Sequence, residues 1–356
     1  MALFKDMLGS GDTLFKNEMA LDFDFVPKLM PFRENQQHYI ADCIKPLFKG
    51  HSGRNIFICG APGIGKTAAV KWVFRDLENE SDDVIPIYVN CWQKNTTYKV
   101  ALEICEAIGY RLTQNKKTDE LFRVIRDILN KKAVVFAFDE ADKLEDFDFL
   151  YTLLEDIYKR SIFLITNHKE WLAEIDQRIK SRLTPDLLEF NQYNLKETTG
   201  ILKERIDYAF FDSAWSEVAL NFVVQKTFDA KDIRTGLFLL KESGLAAEDR
   251  SSKKILPEDA SLAIKKLADF TIKKSTDLED DTRLILSIIK EHSGKKIGDL
   301  FNVYKEKKGR NTYKTFQRKI DSLEKNKFIT VNKISGGKEG STSIISFRDE
   351  RKLTDF

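Results

Sequence analysis

The sequence has few residues of the kinds that build disulfide, metal or membrane sites. Its 356 residues include four cysteines and four histidines, all scattered, with no Cys-x-x-Cys pair. We therefore expect reduced thiols in the core, rather than disulfides or a zinc site. No run approaches the roughly 20 apolar residues that cross a bilayer, and residues 1–15 lack a secretion pattern. We expect an intracellular protein with no membrane partner.

Charge is balanced over the whole chain but not along it. The net charge is +2, yet residues 281–356 contain 18 Lys and Arg against 10 Asp and Glu, which is +8 and leaves −6 elsewhere. A basic tail on a mildly acidic body favours a C-terminal module that contacts DNA. A solvated lysine-rich surface would have the same composition. The length predicts two or three domains.

The first half of the chain alternates apolar runs with amphipathic segments. Buried strands are predicted over Asn55–Cys59, Val84–Val89, Ala133–Phe138, Ser161–Thr166 and Leu187–Phe190. Strands separated by helices indicate βαβ units, so we predict an α/β fold with a parallel sheet covered on both faces. A tail and one helix over 33–48 precede it, and residues 1–190 form the first predicted domain.

After residue 190 the strand pattern gives way to helices. Helical spacing occurs over Lys196–Phe211, Ser213–Lys226, Lys231–Ser243 and Pro257–Lys274. These segments predict an all-helical domain, a lid over residues 191–275, followed by an acidic linker over Ser275–Asp281.

The last part of the chain reads as three helices and a hairpin. The helices are predicted over Asp281–Glu291, Lys296–Lys307 and Thr312–Lys325, and the strands over Phe328–Lys333 and Ser341–Phe347. Gly336 and Gly337 supply the turn between the strands. This order predicts a winged-helix domain over residues 281–356.

A phosphate-binding pattern follows the first predicted strand. The eight residues that match Gly-x-x-x-x-Gly-Lys-Thr are Gly60, Ala61, Pro62, Gly63, Ile64, Gly65, Lys66 and Thr67, with Ala68 next. The loop opens a helix, so its N–H groups and the helix N-terminus would face phosphates. Lys66 would neutralise the β- and γ-phosphates, and Thr67 would offer its hydroxyl to Mg²⁺. We predict a site for ATP or ADP with Mg²⁺.

A pair of carboxylates ends the third predicted strand. Asp139 and Glu140 follow the apolar run 134–138. A strand end is rigid, so Asp139 can anchor magnesium, through water, while Glu140 polarises the attacking water as a general base. An acidic turn would leave the same residues, but their position after the phosphate loop favours the catalytic pair.

These elements together resemble an AAA+ ATPase. The resemblance identifies Asn167, which closes the next strand, as the first sensor of the γ-phosphate and water. Arg178 and Arg182 lie one helical turn apart in the region whose arginine, in that family, reaches a neighbouring subunit's nucleotide. Such a finger contributes roughly 10³–10⁵ in rate. The sequence does not choose between the two arginines, and a surface pair is the alternative.

Three further residues have roles that the resemblance implies. Arg234, in the lid segment Lys-Asp-Ile-Arg, resembles the second sensor, although a helix-surface charge would look alike. Arg33 lies in a Pro-x-Arg-Glu-x-Gln segment that resembles the adenine clasp of one branch of the family. Tyr193, at the entry to the lid, is placed to cover the base. Side chains at such junctions also often simply pack.

The order of all these parts, over about residues 25–347, resembles archaeal replication initiators of the origin-recognition and cell-division-cycle type. The segment Tyr-Val-Asn-Cys-Trp at 88–92 resembles theirs as well. The resemblance implies an initiator that binds double-stranded origin DNA and helps load the MCM helicase, with slow ATP hydrolysis as the switch. It also implies other initiator subunits, or a second copy, as partners, and a cytoplasmic, nucleoid-associated location. The alternatives are a helicase loader or remodeller with non-specific DNA contact, and an ATP-dependent transcriptional regulator.

The predicted winged helix has candidate contacts to DNA. Its third helix would lie in the major groove, with the wing over the backbone. The candidates are Arg310, Thr312, Tyr313, Lys314, Thr315, Arg318 and Lys319 on the helix and Lys333 and Lys338 on the wing. Winged helices also bind proteins, which stays an alternative. The resemblance implies a second DNA contact in a helical insertion between residues 92 and 118, with a solvated charged helix pair as the alternative.

Overall fold

Five short apolar runs form a parallel sheet in the first part of the chain. The computed structural model describes residues 13–276, 280–307, 309, 311–325, 328–334 and 342–347. The strands are β1 (Ile56–Gly60), β2 (Val84–Asn90), β3 (Ala133–Asp139), β4 (Arg160–Thr166) and β5 (Asp186–Phe190). Their order is β2-β3-β4-β1-β5, with every neighbouring pair parallel. The predicted α/β fold and parallel sheet are confirmed.

Helices cover both faces of this sheet. They are α1 (Glu34–Phe48), α2 (Lys66–Glu80), α3 (Thr97–Ala107), α4 (Thr118–Leu129), α5 (Asp148–Asp156) and α6 (Gln177–Leu183). Strand β3 is buried along its whole length, and its side chains alternate between two cores. Phe136 packs with α3, α4 and α5, whereas Val135 packs with α1 and α2. This double burial explains the continuous apolar run in the sequence.

The predicted lid is helical, with boundaries set by backbone conformation. Its helices are α7 (Leu195–Ala209), α8 (Glu217–Ala230), α9 (Ile233–Asp249) and α10 (Pro257–Thr276). Helix α8 begins four residues later than predicted because Ser213 has a positive φ of 63° and Ser216 caps the helix. Helix α9 begins after Lys231, whose φ is 54°, with Asp232 as its N-cap.

Residues 13–28, predicted only as a tail, pack against the lid and α2. The Phe15 ring contacts Phe210 at 4.8 Å between centroids. Arg205 of α7 donates hydrogen bonds to the carbonyls of Ala20 and Phe25, and Arg75 of α2 donates to those of residues 26 and 27. This segment therefore connects α7 to α2.

The C-terminal part contains helices α11 (Asp280–Glu291), α12 (Ile297–Glu306) and α13 (Tyr313–Lys325) and strands β6 (Lys295–Lys296), β7 (Ile329–Ile334) and β8 (Thr342–Phe347). The strands form an antiparallel sheet in the order β6-β8-β7. Ile288, Tyr304 and Phe316 lie in its buried core. The order of elements is the one predicted for a winged helix, except that the two-residue β6 adds a third strand, too short to have a pattern.

Two compact units divide the chain between Ile264 and Lys265. The predicted linker was wrong at both ends, because α10 continues to Thr276 and α11 begins at Asp280, while residues 277–279 lie outside the described part. The predicted domain limits, 1–190, 191–275 and 281–356, stay predictions. Within the described residues, no helix is both long and apolar enough to cross a membrane.

Candidate active site

The phosphate loop joins the end of β1 to the start of α2, and its glycines have geometric reasons. Gly63 and Gly65 adopt positive φ of 71° and 91°, which side chains other than glycine adopt at a cost. A β-carbon at Gly63 would overlap the carboxylate of Asp232. A β-carbon at Gly60 would meet the carbonyl oxygen of Phe190 on β5. The loop thus fits tightly between the sheet and the first turn of α9.

Lys66 is held by three oxygen acceptors. Its Nζ lies 2.8 Å from the carbonyl oxygens of Gly60 and Ala61 and 2.8 Å from Asn167 Oδ1. Only 6% of the residue is exposed. This burial lowers the pKa of the ammonium, although the negative charges of Asp139 and Glu140 act in the opposite direction. The charged oxygens of a bound phosphate would be stronger hydrogen-bond acceptors for this ammonium than these neutral oxygens.

Asp139 and Thr67 meet in a way that fits magnesium. Thr67 Oγ1 donates to Asp139 Oδ2 at 2.6 Å, and the Tyr88 hydroxyl donates to the same oxygen at 2.7 Å. Asp139 is buried at the end of β3, facing the start of α2. A hydroxyl and a carboxylate beside a phosphate loop are the hard oxygen donors that Mg²⁺ takes, the rest of its ligands being waters and phosphates.

Glu140 and Asn167 come together because β3 and β4 are neighbours and their carboxyl ends share one edge of the sheet. Asn167 Nδ2 lies 3.1 Å from Glu140 Oε2 and 3.3 Å from Oε1. Glu140 has a φ of 53°, which is uncommon for a residue with a side chain and sets the direction of the chain directly after β3. Lys66, Asn167 and Glu140 therefore form one continuous hydrogen-bonded chain.

Arg234 reaches this site from the lid. The Ile233 N–H donates to the Gly63 carbonyl at 3.2 Å, so the start of α9 contacts the phosphate loop directly. Arg234 Nη2 lies 2.7 Å from Asp232 Oδ2, and Nε lies 3.1 Å from Oδ1. The hydrogen bond to Asp232 raises the pKa of Arg234, and the charge of Glu140 acts in the same direction.

These residues line one cleft together with the lid and the N-terminal segment. On the core side it is lined by Pro62, Gly63, Gly65, Lys66, Thr67, Ala68, Asp139, Glu140 and Asn167; on the lid side by Tyr193, Ile201, Arg205, Ile233, Arg234 and Leu237; and on the N-terminal side by Phe23, Phe25, Val26, Pro27, Met30 and Pro31. The lining also includes Asp24, Lys71, Thr166 and Glu204, so the cleft combines apolar side chains with polar and charged ones, as sites for small molecules do.

Arg33 lies beside the cleft and does not line it. It is 4% exposed, and it donates from Nε to the Ile64 carbonyl at 3.2 Å and from Nη2 to the Asn191 carbonyl at 2.7 Å. Its guanidinium stacks on the Tyr193 ring at 3.8 Å. Arg33 therefore joins the phosphate loop to the entry of the lid, and Tyr193, on which it stacks, is one of the residues that line the cleft.

Arg178 and Arg182 both lie on α6, and neither lines the cleft of this chain. The Arg178 side chain is 82% exposed and pairs with Asp176 at 3.2 Å. Arg182 forms an ion pair with Glu155 and lies over the Tyr151 ring at 4.9 Å. The two arginines thus share a surface.

Five of the predicted DNA contacts lie on α13, Lys333 lies on β7, and Thr312 directly precedes α13. Lys314 and Arg318 are exposed, and Lys319 donates to Thr282 at 2.9 Å. The Tyr313 ring meets Phe301 edge-on at 5.0 Å, and Thr312 and Thr315 hydrogen-bond to each other. Among the remaining candidates, Arg310 and Lys338 lie outside the described residues, and only the backbone of Lys333 is described, on β7.

The second DNA contact was expected between residues 92 and 118, and this region contains one helix. Helix α3 buries Val100 and Ile104 in the sheet core. Lys94 pairs with Glu103 at 2.8 Å, whereas Trp92 is 66% exposed and lies under the Lys143 ammonium at 5.5 Å.

Sequence reasoning missed three contributors to the site. The Tyr88 hydroxyl donates a hydrogen bond to Asp139, and Asp232 accepts hydrogen bonds from Arg234. Residues from the segment 23–31 line the N-terminal side of the cleft. The alternation of β2 could have pointed to Tyr88, which lies two residues before Asn90, the residue paired with Asp139 in the register.

The sheet order, the phosphate loop, the acidic strand end and the lid arginine define a P-loop ATPase of the AAA+ class. Residues 49–170 match the family model of an AAA domain, and residues 199–265 match that of a Cdc6 AAA+ ATPase-type lid domain. Membership of this class implies nucleotide binding.

Curated relatives narrow the family. The ORC1-type DNA replication protein 1 of Sulfurisphaera tokodaii is 30% identical over 361 residues, covering 95% of this chain and 91% of that protein. ORC1-type DNA replication protein 6 of Halobacterium salinarum is 28% identical over 337 residues, covering 89% of each. The chain belongs to the family of ORC1-type DNA replication proteins. The resemblance to origin-recognition and cell-division-cycle initiators is confirmed, and this family membership supports a role in replication initiation.

Solved structures agree with this assignment. The Aeropyrum pernix Orc1 protein in complex with DNA matches with a TM-score of 0.75 and 25% identity, covering 95% of this chain and 94% of that one. Cdc6p from Pyrobaculum aerophilum, at 16% identity, has the same fold, with a TM-score of 0.65 over 94% of this chain and 95% of that one.

Proposed function

We propose that this protein is an ATP-dependent replication initiator that binds double-stranded origin DNA in its ATP state and helps load the MCM helicase. Slow hydrolysis to ADP then resets it. The observation that supports this most is the hydrogen-bonded chain of Lys66, Asn167 and Glu140, which faces Arg234 of the lid across one cleft. A γ-phosphate in that cleft would contact the core and the lid together.

Hydrolysis would use the carboxylate of Glu140 as a general base. It accepts a proton from the water whose oxygen attacks the γ-phosphorus, while the bond from phosphorus to the β,γ-bridging oxygen breaks. Asn167 holds Glu140 and the water, and Lys66 neutralises charge on the leaving group. Bound Mg²⁺, which Thr67 and Asp139 would hold, supplies further neutralisation of the phosphates.

Arg234 would couple the nucleotide to the lid. Its guanidinium pairs with Asp232 at 2.7 Å, next to the phosphate loop. A γ-phosphate offers two further negative charges to the same side chain, so Arg234 is expected to contact it in the ATP state and to keep only Asp232 in the ADP state. The start of α9 contacts Gly63, so this exchange alters the packing of the lid on the core.

DNA binding would come mainly from the basic C-terminal module. Residues 281–356 have a net charge of +8, and Lys314 and Arg318 are exposed on α13. The Aeropyrum pernix Orc1 structure is a complex with DNA, and 25% identity over 95% of this chain supports the same ligand class here. Each phosphate neutralised adds about 0.9 to the slope of binding against salt.

The arginines of α6 would act on a neighbouring subunit. Neither Arg178 nor Arg182 lines its own cleft. We expect one of them to approach the nucleotide of another initiator subunit, or of a second copy of this chain, as an arginine finger.

The test is recovery of sheared genomic DNA from the source organism by purified protein, with ATP and with ADP, followed by sequencing. Enrichment at one or a few loci, stronger with ATP, is the expected result. Replacing both Lys314 and Arg318 with alanine should abolish this enrichment. Replacing Lys45 and Lys49, which are exposed in and directly after α1, should leave it unchanged. Uniform recovery that is lost as salt rises would contradict origin recognition and indicate a remodeller with non-specific DNA contact.

A further inference from the structure

We propose that Tyr88 is a positioning residue for magnesium, because its hydroxyl holds the Asp139 carboxylate in the orientation that a metal-bound water requires. The proposal rests on the proposed nucleotide function of the same cleft. The Tyr88 hydroxyl donates to Asp139 Oδ2 at 2.7 Å. It stands on the strand next to β3, two residues before Asn90, which is the register partner of Asp139.

Among the described residues, the Asp139 carboxylate accepts hydrogen bonds from three donors, and Tyr88 is one of them. Oδ2 accepts from Thr67 Oγ1 at 2.6 Å and from Tyr88, while Oδ1 accepts from the Glu140 N–H at 2.9 Å. Thr67 could bind a metal through a lone pair of its hydroxyl oxygen and still donate its hydrogen to Asp139. Removing the Tyr88 hydroxyl would leave Oδ2 with Thr67 as its one donor, so the carboxylate would be held less firmly in this orientation.

The phenol of Tyr88 is kept in its donating form. A tyrosine hydroxyl ordinarily has a pKa of about 10, so at neutral pH it carries the proton that it donates to Asp139. The ammonium of Lys71 lies 4.7 Å from the ring centroid and 3.7 Å from Asp24 of the N-terminal segment. Lys71 of α2 therefore lies over the ring of Tyr88, while the hydroxyl of Tyr88 bonds to Asp139.

Tyr88→Phe removes one oxygen and keeps the ring. Partners that orient metal ligands typically contribute 10–100-fold to metal affinity. We expect ADP affinity in EDTA to stay within about twofold of wild type, while the gain in affinity that saturating Mg²⁺ provides falls about tenfold. Titration of Mn²⁺ into the ADP complex, followed by electron paramagnetic resonance, should give a similar loss of metal affinity. The thermal midpoint of Tyr88→Phe should stay close to that of wild type.

The chain offers a matched control in Tyr39, whose hydroxyl bonds to Asp186 Oδ2 at 3.0 Å outside the cleft. Tyr39→Phe deletes the same kind of bond and should leave both affinities unchanged. Unchanged metal dependence in Tyr88→Phe would overturn the proposal, as would equal losses with Mg²⁺ and with EDTA, which indicate packing alone. Wild-type protein that binds no nucleotide would overturn the proposed function as well, so the two failures are distinguishable.

Discussion

Asn167 and Glu140, 27 residues apart in the sequence, are joined by a hydrogen bond of 3.1 Å at the ends of neighbouring strands. The Oδ1 atom of Asn167 also accepts a hydrogen bond from the Lys66 ammonium. A single side chain therefore connects the cation of the phosphate loop to the proposed base. We expect a γ-phosphate that enters between them to compete with this arrangement, so that ATP, but not ADP, would rearrange Asn167.

Lys66→Ala should weaken nucleotide binding strongly. The ammonium has three oxygen partners in the loop and on Asn167, so its loss removes the main cationic contact to the β-phosphate and leaves Gly60 and Ala61 carbonyls facing anionic groups. We expect affinity for fluorescent ADP to fall at least about 100-fold, roughly 3 kcal/mol. Lys45→Ala, an exposed lysine on α1, is the control. Near-normal binding by Lys66→Ala would contradict the assignment of the loop.

Arg234→Ala should separate binding from turnover. The residue meets the nucleotide only through the γ-phosphate in this account, so ADP affinity should change little while the hydrolysis rate falls roughly 10²-fold. Asp232→Asn keeps the cap of α9, since asparagine caps helices as well as aspartate does, and removes the charge that holds Arg234. Its turnover should equal or exceed that of wild type. Equal losses in both variants would indicate that the two residues serve only the structure of α9.

An arginine finger in trans can be detected by mixing variants. Arg178→Ala or Arg182→Ala, whichever removes the finger, should lower turnover roughly 10³-fold at protein concentrations that permit assembly. Adding Glu140→Gln protein, which still offers both arginines, should restore activity, because the site of one chain meets the finger of another. The arginine variant that is not restored, or that never loses activity, is not the finger. Failure of both mixtures would contradict action between subunits.

Asp259 should make the first unit sensitive to acid. Its carboxylate is fully buried and bonds to Arg250 Nε and Nη2 at 2.8 and 2.7 Å. Burial opposes ionisation, but Arg250 and the Leu256 N–H hold the pKa of Asp259 below its usual range. A folded-state pKa below the unfolded one contributes stability above about pH 4, which is lost as pH falls through the folded-state value.

Asp259→Asn should therefore lower the free energy of unfolding by about 2 kcal/mol at pH 7, and the difference from wild type should shrink in acid. Urea denaturation at pH 7 and at pH 3.5 measures this. Asp249→Asn, at an exposed position, should stay within about 0.5 kcal/mol of wild type. A deficit for Asp259→Asn that is as large in acid as at neutral pH would show that the lost packing, and not the charge, matters.

The parts of the fold that the sequence predicts are those with strong local patterns. The five strands are apolar enough to be recognised within one or two residues, and the loop 60–67 carries its own spacing. The starts of helices in the lid were predicted less accurately. Ser213 and Lys231 have positive φ angles, and the type of amino acid does not reveal this conformation. The contacts of Arg33 and of residues 13–28 could not be predicted, because they join segments that are far apart in the sequence. The Thr13 hydroxyl, for example, donates to Glu248, 235 residues further along the chain.

The same reasoning explains Tyr88 and Asp232. Both act on residues that the sequence did identify, but the bonds depend on the register of β2 against β3 and on the position of α9 over the phosphate loop. Register and helix placement arise from packing of the entire unit. Sequence patterns alone therefore identify the reactive groups better than the residues that orient them.

The most direct test of the account is Glu140→Gln, assayed in parallel for ATP binding and for single-turnover phosphate release. Glutamine keeps the size of the side chain and its bond to Asn167 but cannot accept a proton at neutral pH. The account predicts ATP affinity within about threefold of wild type and a rate of phosphate release lowered at least about 10²-fold. Wild-type release by Glu140→Gln would contradict the role of Glu140 as the base.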